Sequence, residues 1–176
     1  LGKIMHRSLR LFLVTAVAMA SGCSTNISGN PEYPTGFKVG QVYVLPMELH
    51  AVVHRNCGRI SAYELLTPSN YTLQLKKNEE ARRSGKPALF VSSGEEELVE
   101  VAAGTEILVT KLEVDQTGSG REMLLFSEFA NGPFVGRRVD VRFICRSEKL
   151  PGGGSMFGWM SVRDPQFLVE KKAPNQ

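Results

Sequence analysis

Val42-Tyr43-Val44-Leu45 and, after Pro46, Met47-Glu48-Leu49-His50-Ala51-Val52-Val53-His54 decide the fold class of this 176-residue chain. The first four residues are a compact apolar run. In the second stretch Met47, Leu49, Ala51 and Val53 alternate with Glu48, His50 and His54. A period of two marks a half-buried strand, because successive side chains point to opposite faces of a sheet. The alternation places both histidines on the wet face, about 13 Å apart at the usual rise of a strand.

Outward from this stretch the same signals recur. Residues 60–66 and the apolar positions Tyr71, Leu73 and Leu75 predict two more short strands, separated by the turn cluster Thr67-Pro68-Ser69-Asn70. Residues 76–86, dominated by Lys, Glu and Arg, predict a short charged helix or an exposed loop that buries nothing. Further strands are expected at 88–92, 98–101, 107–114 and 123–129, with Gln116-Thr117-Gly118-Ser119-Gly120 as a turn. Asn131-Gly132, a frequent pair in turns between antiparallel strands, leads into 134–145. There Val139, Val141, Phe143 and Cys145 fall on one face, and Arg138, Asp140, Arg142 and Arg146 on the other. A glycine-rich loop at 151–155 precedes a last element at 158–162 and 167–169. No long helical period interrupts the pattern. The expected fold is mostly β, a small antiparallel barrel or sandwich of roughly seven or more strands. Gly104-Thr105 ahead of a strand and Gly158-Trp159 near the end resemble bacterial SH3-type barrels.

Upstream, Leu11-Phe12-Leu13-Val14-Thr15-Ala16-Val17-Ala18-Met19-Ala20-Ser21-Gly22-Cys23 follows His6, Arg7 and Arg10. A basic segment, an apolar run of about ten residues and a small-residue site have the order of a secretory signal peptide, and the run is too short to span a bilayer. Ala20-Ser21-Gly22-Cys23 resembles the lipobox of bacterial lipoproteins, with Ala20 where Leu is commonest. The resemblance implies cleavage after Gly22, a diacylglyceryl thioether on Cys23, and anchorage to a membrane through that lipid. Ser24 stands where enteric lipoproteins kept at the inner membrane often carry Asp, which points to the outer membrane, facing the periplasm. Residues 1–22 are thus expected to be the signal peptide, and 23–36 the lipidated N-terminus with a flexible tether of about 45 Å reach. Residues 37–176 are expected to form one β-rich periplasmic domain.

Removing residues 1–22 takes away Lys3, Arg7 and Arg10, so the 21 basic residues fall to 18 against 18 acidic ones. The basicity of the whole chain belongs to its targeting segment and argues for no nucleic-acid partner. With Cys23 committed to lipid, Cys57 and Cys145 remain, and an oxidising compartment makes a Cys57–Cys145 disulfide the expected state.

Catalytic chemistry finds little to stand on. His50, His54 and Cys57 have a spacing that would suit metal ligation on a helix, but a strand separates the two rings too widely for a shared ion. No metal and no cofactor are expected. Cys145-Arg146 resembles the thiol site of L,D-transpeptidases, but Phe143-Ile144 replaces that family's approach, and no histidine follows Cys57 to act as base. No nucleophile elbow, zinc-protease helix or Ser-x-x-Lys pair occurs, and Gly152-Gly153-Gly154-Ser155 lacks the phosphate-binding lysine. Glu95-Glu96-Glu97 has the consecutive spacing of a solvated turn.

Surface recognition remains. Arg138, Arg142 and Arg146 predict a positive stripe along one strand, and Phe157 and Trp159, with Phe129 and Phe134, flank loops where aromatic anchors act. These features lead to the expectation of a non-catalytic lipid-anchored protein that binds another envelope or secreted protein, as an accessory subunit, immunity protein or inhibitor. A peptidoglycan-binding SH3-like module using Trp159, Phe157 and Tyr43 is the second expectation. A thiol or metal enzyme on Cys57, His50 and His54 is the third.

Overall fold

A computed structural model describes residues 24–56, 59–84, 97–117, 120–152 and 158–172. The chain is mostly β, with a curled, antiparallel-rich sheet of barrel type. Its strands are β1 (Ser24–Asn26), β2 (Val42–Val44), β3 (Leu49–Asn56), β4 (Arg59–Leu66), β5 (Glu97–Val101), β6 (Glu106–Thr117), β7 (Gly120–Phe129), β8 (Arg138–Asp140) and β11 (Val169–Glu170). β9 (Arg146–Lys149) and β10 (Trp159–Val162) form a separate hairpin, and α1 (Pro68–Ser84) follows β4.

The curl comes from one shared corner. Val42 lies opposite Leu108 in the β2–β6 pair and Leu49 opposite Val101 in the β3–β5 pair, a single register on both sides of the bend. β2 with β3, and β5 with β6, therefore act as two long strands bent together. At the corner the Leu45 amide donates to the Thr105 carbonyl at 2.9 Å and the Gly104 amide to the Leu45 carbonyl at 2.8 Å. Gly104 takes φ +83°, a conformation a side chain would strain. β7 and β4 are bridged by the short β8, which runs antiparallel to β7 and parallel to β4.

Inside the curl sit the residues the alternation assigned there. Leu49, Ala51 and Val53 are buried together with Tyr63, Leu65, Ile107, Val109, Leu112 and Phe129. The rings of Tyr63 and Phe129 meet edge-on at 5.5 Å, and Phe134 joins them, so the two phenylalanines flanking the 130–133 turn belong to the core. His50 and His54 lie on the outer face as expected.

Three sequence expectations are corrected. Residues 24–36 do not form a free tether. β1 lies along β6 past the point where β2 stops, with Ser24 opposite Asp115, and so covers an otherwise bare strand edge. Ile27 is 1% exposed, and Thr35 and Phe37 are buried. The Asn and Pro residues that read as linker composition make local turns instead: Asn26 Oδ1 accepts from the Ser28 amide and Asn30 Oδ1 from the Glu32 amide.

The predicted strand at Tyr71, Leu73 and Leu75 is helix, continuous with the charged segment after it. Thr67 caps it, its hydroxyl accepting from the Asn70 amide at 3.2 Å, and Pro68 occupies the first helical position, where its missing amide costs nothing. The helix also buries something. Tyr71 stacks on His50 at 3.8 Å between ring centroids, over the same outer patch where Val52 and Leu66 are buried. The strand expected at 88–92 lies outside the described residues.

The alternating run at 134–145 is no single strand. After Asp140 the chain turns into a 3-10 turn at Arg142–Ile144, because the Asp140 carboxylate accepts the Arg142 amide at 3.0 Å and ends the extended run. Val139, Val141 and Ile144 are buried, while Phe143 is exposed.

Candidate binding cleft beneath Trp159

The turn after β8 sets up a surface cleft. With strand geometry broken at Asp140, Arg142 and Phe143 project outward, and the β9–β10 hairpin folds back beside β7. In that hairpin Ser161 lies opposite Ser147 and Trp159 opposite Lys149, while Met160 and Val162 are buried. The result is a cleft of about 360 Å³ lined by Glu122, Met123, Arg142, Phe143, Ser147, Trp159 and Ser161. Trp159 is 58% exposed and Phe143 46%, two large apolar side chains that line the cleft and remain open to solvent.

The guanidinium in the cleft is fixed by Asp140. Arg142 Nη2 lies 2.6 Å from Asp140 Oδ2, and its Nε is 3.0 Å from both carboxylate oxygens. These bonds, with the added field of Glu122 and Glu64, raise the Arg142 guanidinium above its ordinary range. Further along the outer face His54 Nε2 meets Glu64 Oε2 at 3.0 Å. Burial lifts the Glu64 carboxyl above its usual range despite that bond, and the nearby Asp140 adds to the rise.

Of the predicted recognition residues, the structure brings Arg142 and Trp159 together. Arg138 and Arg146 do not join them. The positive stripe is broken because β8 ends at Asp140: Arg138 lies over the Phe126 ring at 4.6 Å, and Arg146 begins β9 in the other sheet. Phe157 lies outside the described residues. Tyr43, offered as a sugar-binding face, is 1% exposed, with its hydroxyl donating to the Gly36 carbonyl and accepting from the Lys38 amide.

The expected disulfide is corrected at its Cys145 end, where the thiol is free; Cys57 lies outside the described residues. β8 runs parallel to β4, so the chain continues past Asp140 toward the Leu66 end, where the Phe143 carbonyl accepts from Asn70 Nδ2. Burial pushes the Cys145 thiol up to about 12, with Asp140 and Asp164 adding to it. At neutral pH the group is a protonated thiol and offers no nucleophile.

Sequence reasoning missed Phe143, Glu122, Ser147 and Ser161 as cleft residues. The alternation Trp159-Met160-Ser161-Val162 carried a usable signal for Ser161; the others depend on the turn at Asp140 and on the pairing of β9 with β10. Comparison with protein families, curated proteins and solved structures returned no match. The class that fold and cleft define is a small β-barrel-type domain with an aromatic-rimmed surface site.

Proposed function

We propose that this chain is a non-catalytic, lipid-anchored bacterial envelope protein, held at the periplasmic face of the outer membrane through Cys23, whose β domain binds another envelope or secreted protein. Accessory subunit, immunity protein and inhibitor are the roles that fit. The observation that carries the reading is that Trp159 and Phe143, both exposed, line one cleft with an arginine already fixed by Asp140. Large aromatic side chains beside a preorganised guanidinium have the composition of a binding hot spot, where little ordering cost remains to be met on association.

The test is site-directed photocrosslinking in living cells, with the probe at Phe143 or Ser161 in the cleft and, as control, at Leu73 on α1. One dominant protein adduct from the cleft positions, absent from Leu73 and lost on Trp159→Ala, is the expected result. Equal adducts from all positions, or none from the cleft, would overturn the reading.

A second reading has its own observation. The flat face of Trp159 beside the hydroxyls of Ser147 and Ser161 and the carboxylate of Glu122 suits a sugar ring, the arrangement a peptidoglycan-binding module needs. Co-sedimentation with purified sacculi, abolished by Trp159→Ala, would favour it over a protein partner.

A further inference from the structure

The anchor and the fold are joined with no slack. A lipid on Cys23 would be one peptide bond from Ser24, and Ser24 is already a paired residue of the sheet, opposite Asp115. The next residues are fixed as well: the Ile27 amide donates to the Leu112 carbonyl at 3.1 Å, and the Ile27 side chain is buried. A leash long enough to lift the domain off a bilayer is therefore missing unless β1 peels from β6 and Ile27 leaves the core.

Strand direction tells which end faces the lipid. β1 is antiparallel to β6, so the chain running backward from Ser24 heads toward Thr117 and the end of the β6–β7 hairpin, where Thr117 pairs with Gly120. Asp115 in turn lies opposite Glu122 on β7, which places Ser24 two strand spacings, about 10 Å, from a residue of the Trp159 cleft. The β9–β10 connection begins at the same end, because Arg121 Nη1 donates to the Pro151 carbonyl at 3.2 Å and Trp159 is the β10 residue nearest that connection. Ser24, the hairpin end and Trp159 thus share one end of the domain.

We infer that the lipid on Cys23 seats this end of the domain directly on the bilayer, with Trp159 at the lipid–water boundary. This rests on the anchoring reading proposed above. An exposed indole, with an apolar body and one polar N–H, suits that boundary. The charges nearby are mixed, Arg121 and Lys149 against Asp115 and Glu122, so the seating follows from the anchor and not from attraction to anionic headgroups. A partner bound in the cleft would approach along the membrane plane.

The chain has one tryptophan, which makes its emission a direct reporter. Full-length lipidated protein is reconstituted into phosphatidylcholine vesicles with a spin-label quencher on the headgroup, and the acyl modification of Cys23 is checked by mass. The expected result is loss of Trp159 emission, restored when a long Gly/Ser linker is inserted between Cys23 and Ser24. Acylated protein whose emission equals that of the linker variant would overturn the seating while leaving the anchor intact. An unmodified Cys23 would remove both.

Discussion

At the scale of single residues, the outer-face carboxylates hold the clearest consequences. Asp140 does two jobs, stopping β8 through the Arg142 amide and fixing the Arg142 side chain that lines the cleft. Neither was legible in the sequence, where Asp140 read as one polar position of a longer alternating strand. A period of two cannot register a side chain that bonds its own backbone two residues on. Glu64 carries a testable pH signature. Its carboxyl is raised in the folded state, chiefly by burial, so the folded protein holds that proton more tightly than the unfolded chain. Below the ordinary carboxylate range both states are protonated and Glu64 costs nothing; stability is then lost as pH rises through the raised folded value. Glu64→Gln removes the ionisation while keeping an acceptor for His54. Melting temperatures followed from acid to neutral pH are expected to coincide with wild type at the acid end and to exceed it increasingly toward neutrality. A wild-type advantage at neutral pH would mean that the His54 pairing outweighs the burial cost.

Among the elements, those whose faces are decided by burial alone were readable, and those decided by caps and turns were not. β3 was legible because Leu49, Ala51 and Val53 are buried in the core while His50 and His54 on the other face are not, even though α1 covers Val52 on that outer face. α1 was hidden because Tyr71, Leu73 and Leu75 happen to alternate, although Leu73 and Leu75 are exposed and only Tyr71 finds a partner. The decisive signal was present at Thr67-Pro68, which read equally well as a turn. Because so little of α1 is buried, its stability leans on its cap. Thr67→Ala is expected to cost about 1 kcal/mol of helix stability. The loss should fall locally, as faster amide hydrogen exchange across residues 68–84 with β6 and β7 protection unchanged. Uniform loss of protection across the sheet would show instead that α1 unfolds only with the whole domain.

For the molecule as a whole, the N-terminal segment decides how the proposed anchor and the domain would work together. Composition made 23–36 a tether, since Asn, Ser, Gly and Pro dominate it and no apolar period is visible. What composition could not weigh is a single isoleucine placed where a strand edge is bare. Pairing from the β2 side reaches only Val109, which bonds Gly40 and Gln41, and β1 with Ile27 covers β6 from Leu112 onward. The C-terminal part closes over the same region: the Arg163 amide donates to the Thr35 carbonyl, and its side chain bonds the Gly36 and Leu168 carbonyls. Residues 24–36 are therefore part of the domain's stability, and the two readings of them part sharply in a denaturation experiment. In the soluble Cys23→Ser protein, Ile27→Ala is expected to cost about 2–5 kcal/mol, the usual range for emptying a fully buried isoleucine site. Val39→Ala, at a site 40% exposed in the stretch that follows, should change stability by well under half as much. Urea unfolding of the three proteins measures both. If Ile27→Ala unfolds with Cys23→Ser while keeping the same slope, the segment is a tether after all, and the proposed anchor would leave the domain free to stand away from a membrane. If it unfolds at clearly lower urea, the segment belongs to the fold, and the lipid proposed on Cys23 would lie one peptide bond from it.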